Sequence, residues 1–290
     1  MVIVEKMARY KTVALIATVL LAIVMAVLLH NVDVPVDTLQ VAVVPGDSIQ
    51  DAINKAQAGT VILIQNGSYF EESYPIVVNK TVVLVGENAD ATIVDGKGTV
   101  QGIFLVRSDG VKIKNLTVRN TEKHSFDVAA VHLANANDVE VTDCRLSECA
   151  VGIMLKNASN CVIAGNVIVN NSVEGILMRD NCVSNLIFGN TIANNVNGIR
   201  TADFTCRNNR FYHNNFLNNT YQTSLVGVGG VWDDGYPSGG NYWSDYAGAD
   251  EKSGSNQDQP GSDGIGDTAY GDGLDRYPSM EPLRFFDAGQ

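Results

Sequence analysis

Two sets of arginine and aspartate stand one repeat apart in the middle of the chain, Arg179 with Asp180 and Arg200 with Asp203. Cleaving a polysaccharide requires carboxylates that move protons and a cation that neutralises charge, so these four are the candidate catalytic residues. The set is thin for a lyase, because each coil stacks only one acid. Opposite charges stacked on a solvated face give the same pattern, and no Asp-Pro-His-Asp epimerase motif occurs. The preferred reading is binding without catalysis, with a polysaccharide lyase or hydrolase as the alternative.

Three other groups bear on binding. Strand alternation puts Phe104, His132, Met154, Leu177 and Arg200 in one outward row. The row is unusually apolar for an exposed face; a sugar ring, a partner protein or the chain's own 121–129 loop would each cover it. Trp232, Tyr242 and Trp243 stand near Asp233, Asp234 and Asp245. Aromatic faces beside acids grip sugars, and they also close the end of a fold. The candidate ligand-binding residues are therefore Trp232, Tyr242, Trp243, Phe104, His132 and Leu177. Calcium is the candidate ion for the loop 256–267, through Asn256, Asp258, Asp263 and Asp267. Pro260 falls where an oxygen ligand is expected, and the alternative frame is also incomplete. Copper needs grouped His, Met or Cys; only His132 and Met154, in adjacent coils, come together.

These residues are positioned by a repeat. Gly165-Asn166-Val167-Ile168-Val169-Asn170-Asn171, Gly189-Asn190-Thr191-Ile192-Ala193-Asn194-Asn195 and His213-Asn214-Asn215-Phe216-Leu217-Asn218-Asn219 recur every 24 residues, each after a Gly-Ile. A period of this length predicts a solenoid whose coils bury their apolar faces by stacking. Each coil holds three short Val/Ile bursts separated by Asn, Gly or Ser and lacks helical spacing, which predicts three strands. The expected fold is all-β: a right-handed, single-stranded parallel β-helix with three sheets and coils of 22–24 residues. In register, Ile153, Ile176 and Ile199 stack, as do Leu155, Met178 and Thr201. The segment 47–56, with Asp47 or Ser48 as N-cap, predicts an amphipathic helix over the N-terminal end.

The 17-residue apolar run Val13–Leu29 follows Lys6, Arg9 and Lys11. It predicts a transmembrane signal anchor, with everything after it outside the cytoplasm; a cleaved signal peptide is the alternative. The expected organisation is anchor 1–30, stalk 31–45, β-helix 46–225, and an aromatic, acidic cap and tail 226–290. A formal net charge of −12 and the lack of a basic patch exclude nucleic acid as the expected partner. The membrane and a glycan or surface protein remain. Of the five cysteines, Cys182 and Cys206 lie one coil apart, within bonding reach if they stack.

The coil pattern, Ser48-Ile49-Gln50-Asp51-Ala52-Ile53, Gly59-Thr60-Val61-Ile62-Leu63-Ile64 and the tail Gly239-Gly240-Asn241-Tyr242-Trp243-Ser244-Asp245-Tyr246 together resemble NosD-like β-helix proteins. Those proteins are also called the carbohydrate-binding and sugar-hydrolase (CASH) group, and the tail resembles that of archaeal surface members. The resemblance runs from about Pro45 to Leu283. It implies the fold, and either an accessory role in copper-site maturation or the binding, cleavage or epimerisation of polysaccharide.

Overall fold

The computed structural model describes residues 39–227 and 229–284. The run Val13–Leu29, on which the anchor expectation rests, lies outside the described residues. No helix among the described residues is long and apolar enough to cross a membrane.

The chain winds into a parallel β-solenoid with three sheets. The first has nine strands, from Gln40–Val43 to Gly230–Val231; the second has seven, from Ile76–Val78 to Tyr221–Leu225; the third has eight, from Gly67–Tyr69 to Tyr242–Trp243. Neighbours within each sheet come from successive coils. The first strand, Gln40–Val43, already pairs with Val61–Ile64, so the solenoid begins inside the stretch read as stalk. At the far end it runs past residue 225 through Gly230–Val231 and Tyr242–Trp243.

The expected register holds in the regular coils. Ile153, Ile176 and Ile199 stack, and Leu155, Met178 and Thr201 form the next inward row. The Gly of each Gly-Ile is required by a close approach. A Cβ on Gly175 would meet the Gly198 carbonyl oxygen at 2.5 Å and Ile192 at 2.9 Å.

The Asn-Asn pairs divide their work. Asn170, Asn194 and Asn218 turn the corner with φ of 58°, 55° and 53°, a left-handed geometry asparagine tolerates. The following Asn171, Asn195 and Asn219 point inward and form a ladder. Asn171 N–H and Nδ2 both donate to Asn195 Oδ1 at 3.0 Å, and Asn195 repeats this on Asn219. A second ladder runs Asn166, Asn190, Asn214, Asn241.

Both ends are capped. The helix Ile49–Lys55 is N-capped by Ser48, which accepts from Asp51 N–H at 3.0 Å. Its Gln50 amide pairs with both backbone groups of Val77, covering the edge of the second sheet. At the other end two inward rows finish in aromatic stacks. Phe211 stacks on Trp232 at 4.1 Å; Phe216 stacks on Trp243 at 4.3 Å, and Trp243 on Tyr270 at 4.1 Å. Asp275, fully buried, accepts from Trp243 Nε1, Asn241 and Tyr277.

Burial pushes the Asp275 carboxyl up to about 6, against the N–H donors that favour its anion. A carboxyl raised in the folded state stabilises most below its unfolded value, and that contribution is lost as pH rises through about 6. The expected loss is about 3 kcal/mol. Unfolding of the cap, followed by Trp243 fluorescence, should therefore need less urea at neutral pH than at mildly acidic pH. This difference should shrink in Asp275→Asn; if it stays the same size, Asp275 is not its source.

Candidate functional site

The outward face of the second sheet gathers His132, Met154, Leu177, Arg179 and Arg200 under one loop. Leu105, His132, Met154, Leu177, Arg200 and Ser224 form a single row on successive coils. Phe104 is not in it. It is 1% exposed, aligns with Val131 and belongs to the interior. Aligning Gly102-Ile103 with the later pairs Gly152-Ile153, Gly175-Ile176 and Gly198-Ile199 would put Phe104 outward, one residue out of the observed register. Gly102 is a turn glycine at φ 128° rather than a close-contact glycine inside a strand.

The insertion between the strands Thr117–Thr121 and Ala129–Ala134 folds over this face. Ser172 Oγ donates to the Lys123 carbonyl at 2.6 Å, Arg179 pairs with Asp127, and the Arg200 guanidinium lies 5.6 Å from the Phe126 ring centre. Beneath, Met154 is 0% and Leu177 3% exposed, forming an apolar floor with Ala129 and Val151.

Charged groups ring that floor. Glu174 is fully buried and accepts from Arg200 at 3.2 Å through Oε1. Burial holds its carboxyl above the usual range, and Arg200 offsets this only in part. Burial, then the nearby Arg179 and Lys156, push the His132 imidazole down to about 4, so it is neutral at neutral pH. Three buried polar atoms on this face have no partner within the protein: Glu174 Oε2, His132 Nε2 and Arg179 Nε. Leaving such a group unsatisfied costs about 1–3 kcal/mol, and clusters of them mark sites where a further partner is expected.

The other expected residues are placed differently. Asp203 accepts from the Asp180 N–H at 2.6 Å and from Thr205, and Asp180 lies 3.7 Å from Lys156. Both aspartates therefore order the turn beside the roofed face and do not face Glu174. Trp232 and Trp243 are 1% exposed inside the terminal lid, and Tyr242 pairs with Asn215 in the third sheet. In the tail, Asp263 accepts from Gly254 and Ile265 N–H, Asp267 from Glu251 and Lys252 N–H, and Asp258 from the Gln259 amide. Asp263 and Asp267 thus tie backbone together, Asp258 is engaged with its neighbour Gln259, and Asn256 is exposed. No group of three or more His, Cys, Asp or Glu disposed around a metal occurs among the described residues. Sequence reasoning missed Glu174, Asp127 and Phe126. For Glu174 a signal existed: it precedes Gly175 where the neighbouring coils carry Val151 and Asn197.

An open groove of about 380 Å3 on the N-terminal coils is lined by Phe70, Tyr74, Asp95 and Lys97. Its buried Asp95 is already satisfied by Arg119 and Asn120, so the groove lacks the unmet polar demand of the roofed face.

Comparison with known proteins agrees with this architecture. No curated protein matches the chain by sequence. Among solved structures, ORF18 of Geobacillus virus E2 matches with a TM-score of 0.51 at 18% identity, covering 58% of this chain and 38% of that one. The catalytic domain of a GH87 α-1,3-glucanase with tetrasaccharides gives 0.44 at 17%, over 63% and 39%. Pectate lyase Pel9A gives 0.46 at 12%, over 71% and 68%. At these identities the likeness is one of fold, and the chain spans under two fifths of the first two proteins. The family model described as periplasmic copper-binding protein (NosD) matches residues 53–248, well over half of the chain, and the chain belongs to that family.

Proposed function

We propose that the protein is a non-catalytic binding β-helix that works outside the cytoplasm, held at the membrane by Val13–Leu29, and that it takes a carbohydrate on the roofed face of the second sheet. The observation that carries this is the set of three unmet polar atoms around an apolar floor. Glu174 Oε2 accepts, Arg179 Nε donates and His132 Nε2 does either, according to tautomer. A sugar offers both kinds of hydroxyl together with a C–H face that suits Met154 and Leu177. Glycoside cleavage uses two carboxyls about 5–9.5 Å apart. Here Glu174 is paired with Arg200, Asp127 with Arg179, and Asp203 with the Asp180 N–H, so each of these carboxyls is already engaged within the fold. This supports binding over catalysis. The roof must lift for a ligand to enter.

One observation favours a second reading. His132 and Met154 are ladder neighbours, and the imidazole is neutral and unpartnered. A thioether beside an imidazole suits a cuprous ion better than a cupric one, although a third donor would have to come from Glu174 or from a partner. The family's description names copper.

One experiment separates these readings. Calorimetric titration with neutral and acidic oligosaccharides, with and without chelator, should detect binding that Arg179→Ala weakens about tenfold. Asp127→Ala, which frees the roof, should speed association. If no glycan binds while the protein withdraws Cu(I) from a colorimetric chelator, and Met154→Leu abolishes that, the carbohydrate reading fails. Release of reducing ends would overturn the non-catalytic part.

A further inference from the structure

The five cysteines are all buried thiols. Three of them are spent locally. Cys144, Cys149 and Cys161 donate to carbonyls two residues back at 3.2, 3.2 and 3.5 Å. Burial pushes these thiols up to about 12, 11 and 11, where they are poor nucleophiles.

Cys182 and Cys206 are arranged differently. Val183 and Arg207 form a parallel bridge, with the Arg207 N–H donating to the Cys182 carbonyl at 3.1 Å. The residues before that bridge, Cys182 and Cys206, are therefore neighbours on successive coils. Both side chains face the interior, at 0% and 2% exposure. Strands paired in this way lie about 4.8 Å apart, inside the Cα separation of about 4.4–6.8 Å that a disulfide spans. The neighbouring thiols also act on each other: the Cys206 proton is held on and loss of the Cys182 proton is eased.

We infer that Cys182 and Cys206 are an oxidation site, closing a disulfide along the solenoid axis that staples two successive coils. The oxidant is an external disulfide, such as oxidised glutathione or a protein dithiol oxidase in its disulfide form. The Cys182 thiolate attacks one sulfur of that disulfide and expels a thiolate, leaving a mixed disulfide. The Cys206 thiolate then attacks the Cys182 sulfur and releases the second thiol. Two electrons and two protons pass from the protein to the oxidant. Exchange precedes closure of the last coils, because both sulfurs are sealed in the finished interior. Bond formation also removes the Cys182 S–H that donates to the Arg179 carbonyl at 3.3 Å. The staple thus sits directly beneath the turn that presents Arg179. This inference does not depend on which ligand the roofed face takes.

The test uses the full chain, refolded from reductant and denaturant in a glutathione redox buffer. Strand content is checked by circular dichroism before thiols are alkylated under denaturing conditions. Three of the five cysteines should be alkylated. Trypsin cuts after Arg200, so the peptide with Cys182 and the peptide with Cys206 should appear joined, lighter by two hydrogens than their sum. Cys206→Ser should leave every remaining thiol alkylated. Folded wild-type protein with all five thiols alkylated, or with a link between other cysteines, overturns the inference.

Discussion

Asn195→Ala should lower the stability of the solenoid by about 3–4 kcal/mol, whereas Asn194→Gly, one residue away, should change it by less than about 0.5 kcal/mol. The two asparagines look alike in sequence and differ in what they touch. Asn195 is 3% exposed. Its Oδ1 accepts both the backbone N–H and the Nδ2 of Asn171, and its own Nδ2 donates to the Ile168 carbonyl at 3.2 Å and to Asn219 at 2.9 Å. Alanine removes all four bonds and strands the Asn171 N–H in the interior. Each stranded group costs about 1–3 kcal/mol, and the ladder transmits the loss to the next coil. Asn194 is exposed and serves only to adopt φ 55°, which glycine adopts without strain. Urea unfolding measures the contrast: the Asn195→Ala midpoint should fall with its slope unchanged. Equal effects at the two positions would mean that the buried ladder contributes no more than the corner does.

That contrast also shows how much the sequence can reveal. The repeat predicts the stacking of Ile153, Ile176 and Ile199 because the side-chain period in a strand is two, so one buried isoleucine fixes the face of its neighbours. It places Arg200 in the row of Leu177 for the same reason. The argument fails at Phe104, where the coil is irregular and a turn glycine imitates the strand glycine. The aromatic tail reads equally well as grip or lid. Only the stacks on Phe211 and Phe216 show that the two tryptophans continue interior rows. Glu174 breaks the pattern of Val151 and Asn197 in the neighbouring coils, but nothing adjacent to it explains its burial. Its partner Arg200 is 26 residues away, and Arg200 in turn lies against Phe126 of the inserted loop. Unmet hydrogen-bond demand is a property of three elements meeting, and a repeat read coil by coil carries no trace of it.

Arg200→Met should be the most damaging change on the roofed face, with a pH dependence that identifies its cause. Glu174 has 0% side-chain exposure, and Arg200 at 3.2 Å is its charge partner. Removing one member of a buried pair costs about 3–5 kcal/mol; with Arg200 itself 35% exposed, solvent reduces this to about 2–3 kcal/mol. Burial already raises the Glu174 carboxyl above its ordinary value. A carboxyl raised by folding contributes most below its unfolded value and loses that contribution as pH climbs through the folded one. Without Arg200 the folded value rises further. Below the unfolded value the variant's Glu174 is protonated in both states and the penalty is small; as pH climbs through the raised folded value the bare carboxylate must be held in the interior and the penalty becomes full. The gap in urea midpoint between wild type and Arg200→Met should therefore widen with pH. Adding Glu174→Gln should close most of it, because a neutral amide has no charge to strand. A gap of constant size would mean that water reaches Glu174 in the folded state. The roof would then be open at rest, and a carbohydrate would meet a solvated carboxylate, with no unmet acceptor at Oε2 to draw it in.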